Sequence, residues 1–321
     1  MPKWEFVDGF TREKISFIDS RWTSALEIAL KSKATPTQSG YFVNAGGITK
    51  NGNVSFGGNH EMGITDTSTH GEEAVISYAL DQYGKEDPIQ IIAYAGLEDG
   101  GLVVGSCGNC RDIIKEYTDL ENLVIINGPR VGGRASVIPG KSFFKENFRK
   151  LEGNNMGFIK YSNGVIQALK AEKHSYDIYL TKSSPKIYGA SIVCENGEVF
   201  RGGFRGGVSY HPVLPLSSAI ENFRNSSDDP ERKNVVSIIF ASEKGVPNVL
   251  YKDRQDGMEF AQAIQSINKK SEVPITVYLV DAKNKEVYKT NTEEWLPYAF
   301  SPKNLGLEKE TAKGYEKLFK N

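Results

Sequence analysis

The chain has 321 residues, 39% hydrophobic and 25% charged, with a formal net charge of -1. Such a length and balance suit a globular protein of two ordinary domains. The near-zero charge leaves no overall basic excess for nucleic acid or an anionic membrane. No run of 18 apolar residues predicts a membrane span, and "MPKWEFVDGF" lacks the apolar stretch of a signal peptide, so a cytoplasmic protein is expected. Three cysteines make no disulfide framework.

In chain order, Ile15, Ile18, Trp22, Leu26, Ala29 and Leu30 recur at helical spacing and predict a helix over 10–31. A strand follows in "YFVNAGGI", then the hairpin signal Asn51-Gly52 and a returning strand "VSFGG". A helix is predicted from about Thr69 to Gly84, a good stop residue. Next come strand "IQIIAYA", a Gly-rich stretch, a helix opened by Cys107 and strand "LVIIN". The second half repeats the order: "KIYGASIVCE", the Asn196-Gly197 turn, "EVFRGG", helix "LSSAIENF", strand "VVSIIFA", helix "GMEFAQAIQSIN" and strand "PITVYLVD". The two Asn-Gly turns lie 145 residues apart, which predicts two similar α/β domains, 1–152 and 153–321, each a mixed sheet covered by helices.

Chemistry concentrates in the first half. Cys107 and Cys110 form a C-x-x-C pair that shares one face of a helix's first turn. Alone it fits a structural zinc half-site or a redox pair as well. His70 and Glu72, two residues apart, converge only over the end of a helix, where the local sequence puts them. Thr69 and Glu72 also have the spacing of a capping box, so Glu72 has a purely structural reading as well. Taken together, "HGEEAV … SCGNC" matches the H-x-E … C-x-x-C arrangement of zinc deaminases. There His70, Cys107 and Cys110 would hold one Zn²⁺ per chain with a fourth position open, and Glu72 would move protons.

With these residues placed, the chain resembles the cytidine deaminase family, in its two-domain form with a degenerate second domain. "YFVNA" is similar to the family's F-x-V-G-A strand, and "FGGNHE" to its nucleoside-binding segment. The resemblance implies two three-layer α-β-α domains, with Tyr41 beside the base and Asn59 and Glu61 on the sugar 3′-hydroxyl. Gly71, Gly105 and Ser106 would line the base pocket, with the Gly105 carbonyl accepting from the 4-amino group. The implied substrate is a small nucleoside, the implied assembly a homodimer, and the implied setting pyrimidine salvage. In the second half Leu214 and Leu216 stand at the positions of His70 and Glu72, and Phe204 and Gly206 at those of Asn59 and Glu61, so no second zinc site is expected. His211 and Cys194 read as structural.

Gly71 replaces the family's Ala, Ser106 replaces its Pro, and the 95–105 stretch is long. These departures keep open a modified cytosine nucleoside or a nucleoside antibiotic as substrate. Phe143, Phe144 and Phe300 are candidates to close a site. A polynucleotide editor is a weaker alternative, supported only by the basic residues of 129–153. A non-enzymatic zinc protein needs neither Glu72 nor the Asn59/Glu61 pair.

Overall fold

The computed structural model describes residues 2–61, 68–96, 105–145, 147–175, 187–206, 212–225, 234–267, 274–296 and 313. The chain divides into two compact units after Lys145. Among the described residues no helix is long and apolar enough to cross a membrane.

The first unit runs β1 (Trp4–Asp8), α1 (Ser20–Lys31), β2 (Asn44–Thr49), β3 (Val54–Gly58), α2 (Gly71–Tyr83), β4 (Ile89–Ala95), α3 (Gly108–Tyr117), β5 (Val124–Gly128), β6 (Gly133–Pro139) and α4 (Gly140–Phe143). Its six strands are ordered β1-β6-β5-β4-β2-β3. β4 pairs parallel with β5, and β1 parallel with β6. β2 pairs antiparallel with both β3 and β4. One face packs Ile92 and Ile125 against Val75 and Ile76 of α2 and Ile114 of α3. The other packs Ile91, Ala93 and Ile126 against Ala25, Leu26 and Ala29 of α1. "IQIIAYA" is almost continuously apolar because β4 is buried on both faces.

The predicted helix over 10–31 begins only at Ser20. Upstream, the Asp8 carboxylate accepts the N–H groups of Phe10 and Thr11, both at 2.8 Å, and Arg12 takes a left-handed φ of 64°. That turn ends any helical path. Asp19 then caps α1 by accepting the Arg21 N–H at 2.9 Å.

The second unit runs β7 (Arg149–Lys150), α5 (Met156–Tyr161), α6 (Asn163–Lys173), β8 (Gly189–Cys194), β9 (Val199–Gly203), α7 (Pro215–Asn225), β10 (Val235–Ser242), α8 (Tyr251–Ile267), β11 (Thr276–Asp281) and β12 (Glu286–Asn291). Its sheet order, β7-β12-β11-β10-β8-β9, reproduces that of the first unit strand for strand. The internal repeat is therefore structural, and both units have the expected mixed α/β architecture. The edge differs, because β7 joins β12 antiparallel where β1 joins β6 parallel. β7 belongs to the second sheet, which moves the division from the expected 152/153 to 145/146.

A glycine sets how closely α2 lies on the edge strand that leads into it. A Cβ on Gly57 would stand 2.3 Å from the Cβ of Ala74. Gly57→Ala should therefore lever α2 off β3 and destabilise the protein by about 1–3 kcal/mol. Thermal unfolding of the variant checks this, and an unchanged midpoint would refute it.

Candidate active site

Two helix beginnings meet at one point. His70 is the N-cap of α2 and Cys107 the N-cap of α3, both with extended backbone. Cys110 lies one turn into α3 and is fully buried. The His70 Nδ1 is 3.1 Å from the Cys110 Sγ and 3.3 Å from the Cys107 Sγ. Among the described residues this is the group of three His, Cys or acidic donors that converges within 4.8 Å. Tetrahedral zinc, with bonds of about 2.3 Å to sulfur and about 2.0 Å to nitrogen, sets its ligand atoms roughly 3.5–3.8 Å apart. One imidazole nitrogen and two thiols facing each other at nearly that spacing fit such an ion, and both helix N-termini favour thiolates there.

The capping of α2 separates two acids that the sequence left ambiguous. Glu73, not Glu72, reaches back to the helix start, where its Oε2 accepts the His70 N–H at 3.0 Å. Its Oε1 accepts from Asn109 Nδ2 at 2.7 Å, tying the first turns of α2 and α3 together. Glu72 is left to the interior, 6% exposed. Burial raises its pKa, the Cys107 charge raises it further, and His70 opposes both.

Left to themselves the three donors share protons. The Cys107 hydrogen bond holds the His70 pKa up at about 9 against the effect of burial. Cys107 is held well below the usual thiol range, first by its hydrogen bond with Cys110 and then by His70. Burial pushes Cys110 well above that range.

The other expected site residues occupy the surroundings. Asn59 and Glu61 follow β3, and both already bond to the preceding loop. Asn59 Oδ1 accepts the Val43 N–H at 3.0 Å, and its Nδ2 donates to the Tyr41 carbonyl at 2.8 Å. Glu61 Oε2 accepts the Gln38 and Ser39 N–H groups at 2.7 and 2.8 Å, and its Oε1 accepts the Ser39 hydroxyl. Burial acts to raise the Glu61 pKa, but these donors outweigh it and lower the value. Tyr41 is half-buried. Gly71 opens α2 with its α-carbon facing Val43 and Ala45; a Cβ would stand 3.1 Å from the Val43 carbonyl oxygen. Gly105 and Ser106 are buried just ahead of Cys107. Phe143 is fully buried in the core, so it is fixed within the first unit, and Phe144 packs edge-on against it. Phe300, His211 and most of the 95–105 stretch, residues 97–104, lie outside the described residues.

Two residues near the cluster escaped the sequence reading. Arg111 is fully buried beside Cys110; its Nε donates to the Ser106 carbonyl at 2.9 Å, and its guanidinium lies 4.1 Å from the centre of the Phe143 ring. Tyr94 of β4 brings its hydroxyl to 2.7 Å from the Ser106 Oγ. The only signal for Arg111 was a charge directly after the second cysteine.

The second unit shows what the same scaffold does without these donors. Arg254 Nε donates to the Val249 carbonyl at 3.2 Å, the five-residue reach that Arg111 makes to Ser106. In that register Leu250 and Asp253 stand where Cys107 and Cys110 do, and the buried Leu216 stands where Glu72 does. Asp253 is fully buried, accepting the Tyr188 hydroxyl at 2.8 Å and the Leu216 N–H at 3.1 Å. Phe204, at the position of Asn59, stacks edge-on against Tyr188. The equivalent of the first site is a packed polar plug.

The chain matches no protein-family model. It is 24% identical over 201 residues to a cytidine deaminase from Aliivibrio fischeri (strain ATCC 700601 / ES114), covering 60% of this chain and 63% of that protein. It thus spans just under two thirds of that relative's length. Among solved structures, a cytidine deaminase from Burkholderia pseudomallei matches 39% of this chain and 94% of its own, at 22% identity and a TM-score of 0.33. A cytidine deaminase from Mycobacterium tuberculosis matches 39% and 95%, at 21% identity and a TM-score of 0.32. The chain resembles cytidine deaminases in sequence.

Two predictions follow from the proton positions. Burial holds the proton on Cys110, and hydrogen bonding to Cys107 holds the one on His70, whereas zinc takes a neutral imidazole and thiolates, so zinc added to chelator-stripped protein should release protons. Titration in weak buffer with a pH indicator measures this; release of none would contradict the donor set. In the second unit, burial pushes the Asp253 pKa up to about 8. A carboxyl whose folded pKa is raised stabilises the fold fully below its unfolded pKa, and the gain is lost as pH rises through the folded value. Asp253 should therefore make stability fall as pH rises from about pH 4 toward about pH 8. Unfolding of Asp253→Asn across that range should show a shallower decline than the parent protein.

Proposed function

We propose that the chain is a zinc-dependent hydrolase that deaminates cytidine or 2′-deoxycytidine to the uracil nucleoside, releasing ammonia. The reading rests on one observation: three zinc-type donors converge at two helix N-termini beside the buried Glu72 carboxylate, while Glu73 takes the capping role. His70, Cys107 and Cys110 would hold the ion. Zinc held there supplies Lewis acidity that brings the pKa of water toward 7.

The protein's own groups do the rest. Glu72 takes a proton from the attacking water and delivers it to ring N3, which makes C4 electrophilic. It then carries a second proton to the departing amino group. A buried carboxyl suits both steps, because burial and the Cys107 charge raise its pKa and make it a better base. Asn59 and Glu61 would accept from the sugar. Each keeps acceptor capacity beyond its present bonds, since an amide oxygen has two lone pairs and a carboxylate about four sites. Tyr41 would flank the base, Gly71 would leave room beside it, and the Gly105 carbonyl would accept from the 4-amino group. The same reading assigns the enzyme to cytoplasmic pyrimidine salvage and to a homodimeric state.

Ser106 and Gly71 favour a second reading with the same chemistry, in which a modified cytosine nucleoside or a nucleoside antibiotic is preferred. Ammonia release across a nucleoside panel separates the two. In either case Glu72→Gln should retain zinc and lose about 10²–10⁴-fold in kcat. Turnover within about tenfold of the parent, or native protein without zinc, would overturn the assignment.

A further inference from the structure

The edge strand of the second sheet gathers basic side chains that the deaminase reading does not use. A cleft of about 180 Å³ opens beside β9, between α6 and α7, lined by His174, Arg201, Arg205, Ser218 and Asn222 and by the backbone of Gly202. Its floor is set by close backbone contact: a Cβ on Gly202 would stand 2.1 Å from the Pro215 carbonyl oxygen at the start of α7. Arg205 Nη2 donates to the Oγ of the buried Ser218 at 2.8 Å, which ties the guanidinium to α7. Arg201 Nη1 donates to Gln167 Oε1 at 3.2 Å, and Asn222 Nδ2 donates to the Arg201 carbonyl at 2.8 Å. A guanidinium has five N–H donors, so each arginine keeps several to give. Among the described residues no carboxylate lines the cleft, and both arginines bond only to neutral oxygens.

The internal repeat shows that the fold does not call for these cations. The isolated bridge between His60 and Thr69 in the first unit recurs as Arg205 with Val213, and Gly57 against Ala74 recurs as Gly202 against Ser218. In that register Phe56, His60, Ala74 and Tyr78 become Arg201, Arg205, Ser218 and Asn222. The first unit packs the Phe56 and Tyr78 rings at that edge, 5.4 Å between centres. An apolar contact serves the same strand edge, whereas two arginines gathered with no acid repel each other until an anion enters between them.

We propose that the cleft is a binding site for a phosphate group, carried either by inorganic phosphate or by a nucleotide. A phosphate has enough oxygens to accept from both guanidinium groups and from the Ser218 hydroxyl, while one arginine fork satisfies a carboxylate. Pockets that enclose a whole drug-sized ligand measure about 300–1,000 Å³, so this smaller cleft takes the phosphate and leaves any nucleoside outside it. The site is separate from the His70, Cys107 and Cys110 group and stands whether or not the deaminase reading does.

The test is calorimetric titration of zinc-loaded full-length protein at constant ionic strength, with inorganic phosphate, adenosine 5′-monophosphate and adenosine. Phosphate should bind saturably. Arg201→Gln and Arg205→Gln should each weaken it by about tenfold or more, the scale of one hydrogen bond to a charged group. Arg205→Lys, which keeps the charge but not the fork, should fall between parent and glutamine variant. Glu72→Ala in the first unit should bind phosphate as the parent does. Tighter binding of the monophosphate than of phosphate, with no heat from adenosine, assigns the site to a nucleotide; equal affinities assign it to free phosphate. Both arginines are exposed, so their variants should keep the parental unfolding midpoint, and phosphate should raise the midpoint of the parent but not of the double variant. No saturable binding at millimolar phosphate would overturn the proposal. So would arginine variants with parental affinity, which would put the anion on the zinc or elsewhere, or a single-stranded oligonucleotide that binds where phosphate does not.

Discussion

The convergence of two helix N-termini follows from strand direction. β3 and β4 both run antiparallel to β2, so they run parallel to each other, and β5 runs parallel to β4. α2 connects β3 to β4 and α3 connects β4 to β5, each a crossover between parallel strands. Both helices pack on the same face of the sheet, so both begin at the same end of it, outside the carboxyl ends of the strands. His70, Cys107 and Cys110 need only occupy the first turn of each helix to meet. The positive ends of two helix dipoles then stand behind them and favour thiolates and hydrogen-bond acceptors at that point.

The second unit obeys the same constraint with other residues. Its sheet has the same order, and α7 and α8 start where α2 and α3 do. In place of thiols, Asp253 brings a carboxyl that accepts the Leu216 N–H of α7's first turn. The electrostatic demand of two facing helix starts is met by a side chain rather than by a donor set for an ion. Leu250 and the buried Leu216 take the places that Cys107 and Glu72 have in the first unit. The fold survives the loss of the donors because the demand was for an acceptor, not for a particular one.

How much of this could be read from sequence depended on whether a residue's partner lay nearby in the chain. The donor set was legible because His-x-Glu and Cys-x-x-Cys each sit within one turn at a helix start, and few other uses require that combination. The repeat was legible from its Asn-Gly turns. The roles of Glu72 and Glu73 were not, because Thr69 and Glu72 have capping-box spacing while the helix begins one residue later, at His70. Among the strands, β1, β6, β7 and β12 were missed; β1 and β7 are short, with few or no buried residues, and find their partners far along the chain. Ser106, Tyr94 and Arg111 form their cluster through tertiary packing that no spacing rule describes. Asn59 and Glu61 were visible as polar residues after a Gly-Gly pair, but not as fasteners of the 38–43 loop.

That last feature bears on selectivity. Glu61 already accepts three hydrogen bonds from Gln38 and Ser39, so much of its hydration is replaced before any ligand arrives. Under the proposed function, a sugar hydroxyl reaching it would add to a satisfied acceptor instead of rescuing a starved one. The gain from the correct hydroxyl is then modest, and so is the loss when that hydroxyl is missing. In the proposed deaminase, a grip of this kind would discriminate by shape and by the direction of the bond more than by attraction.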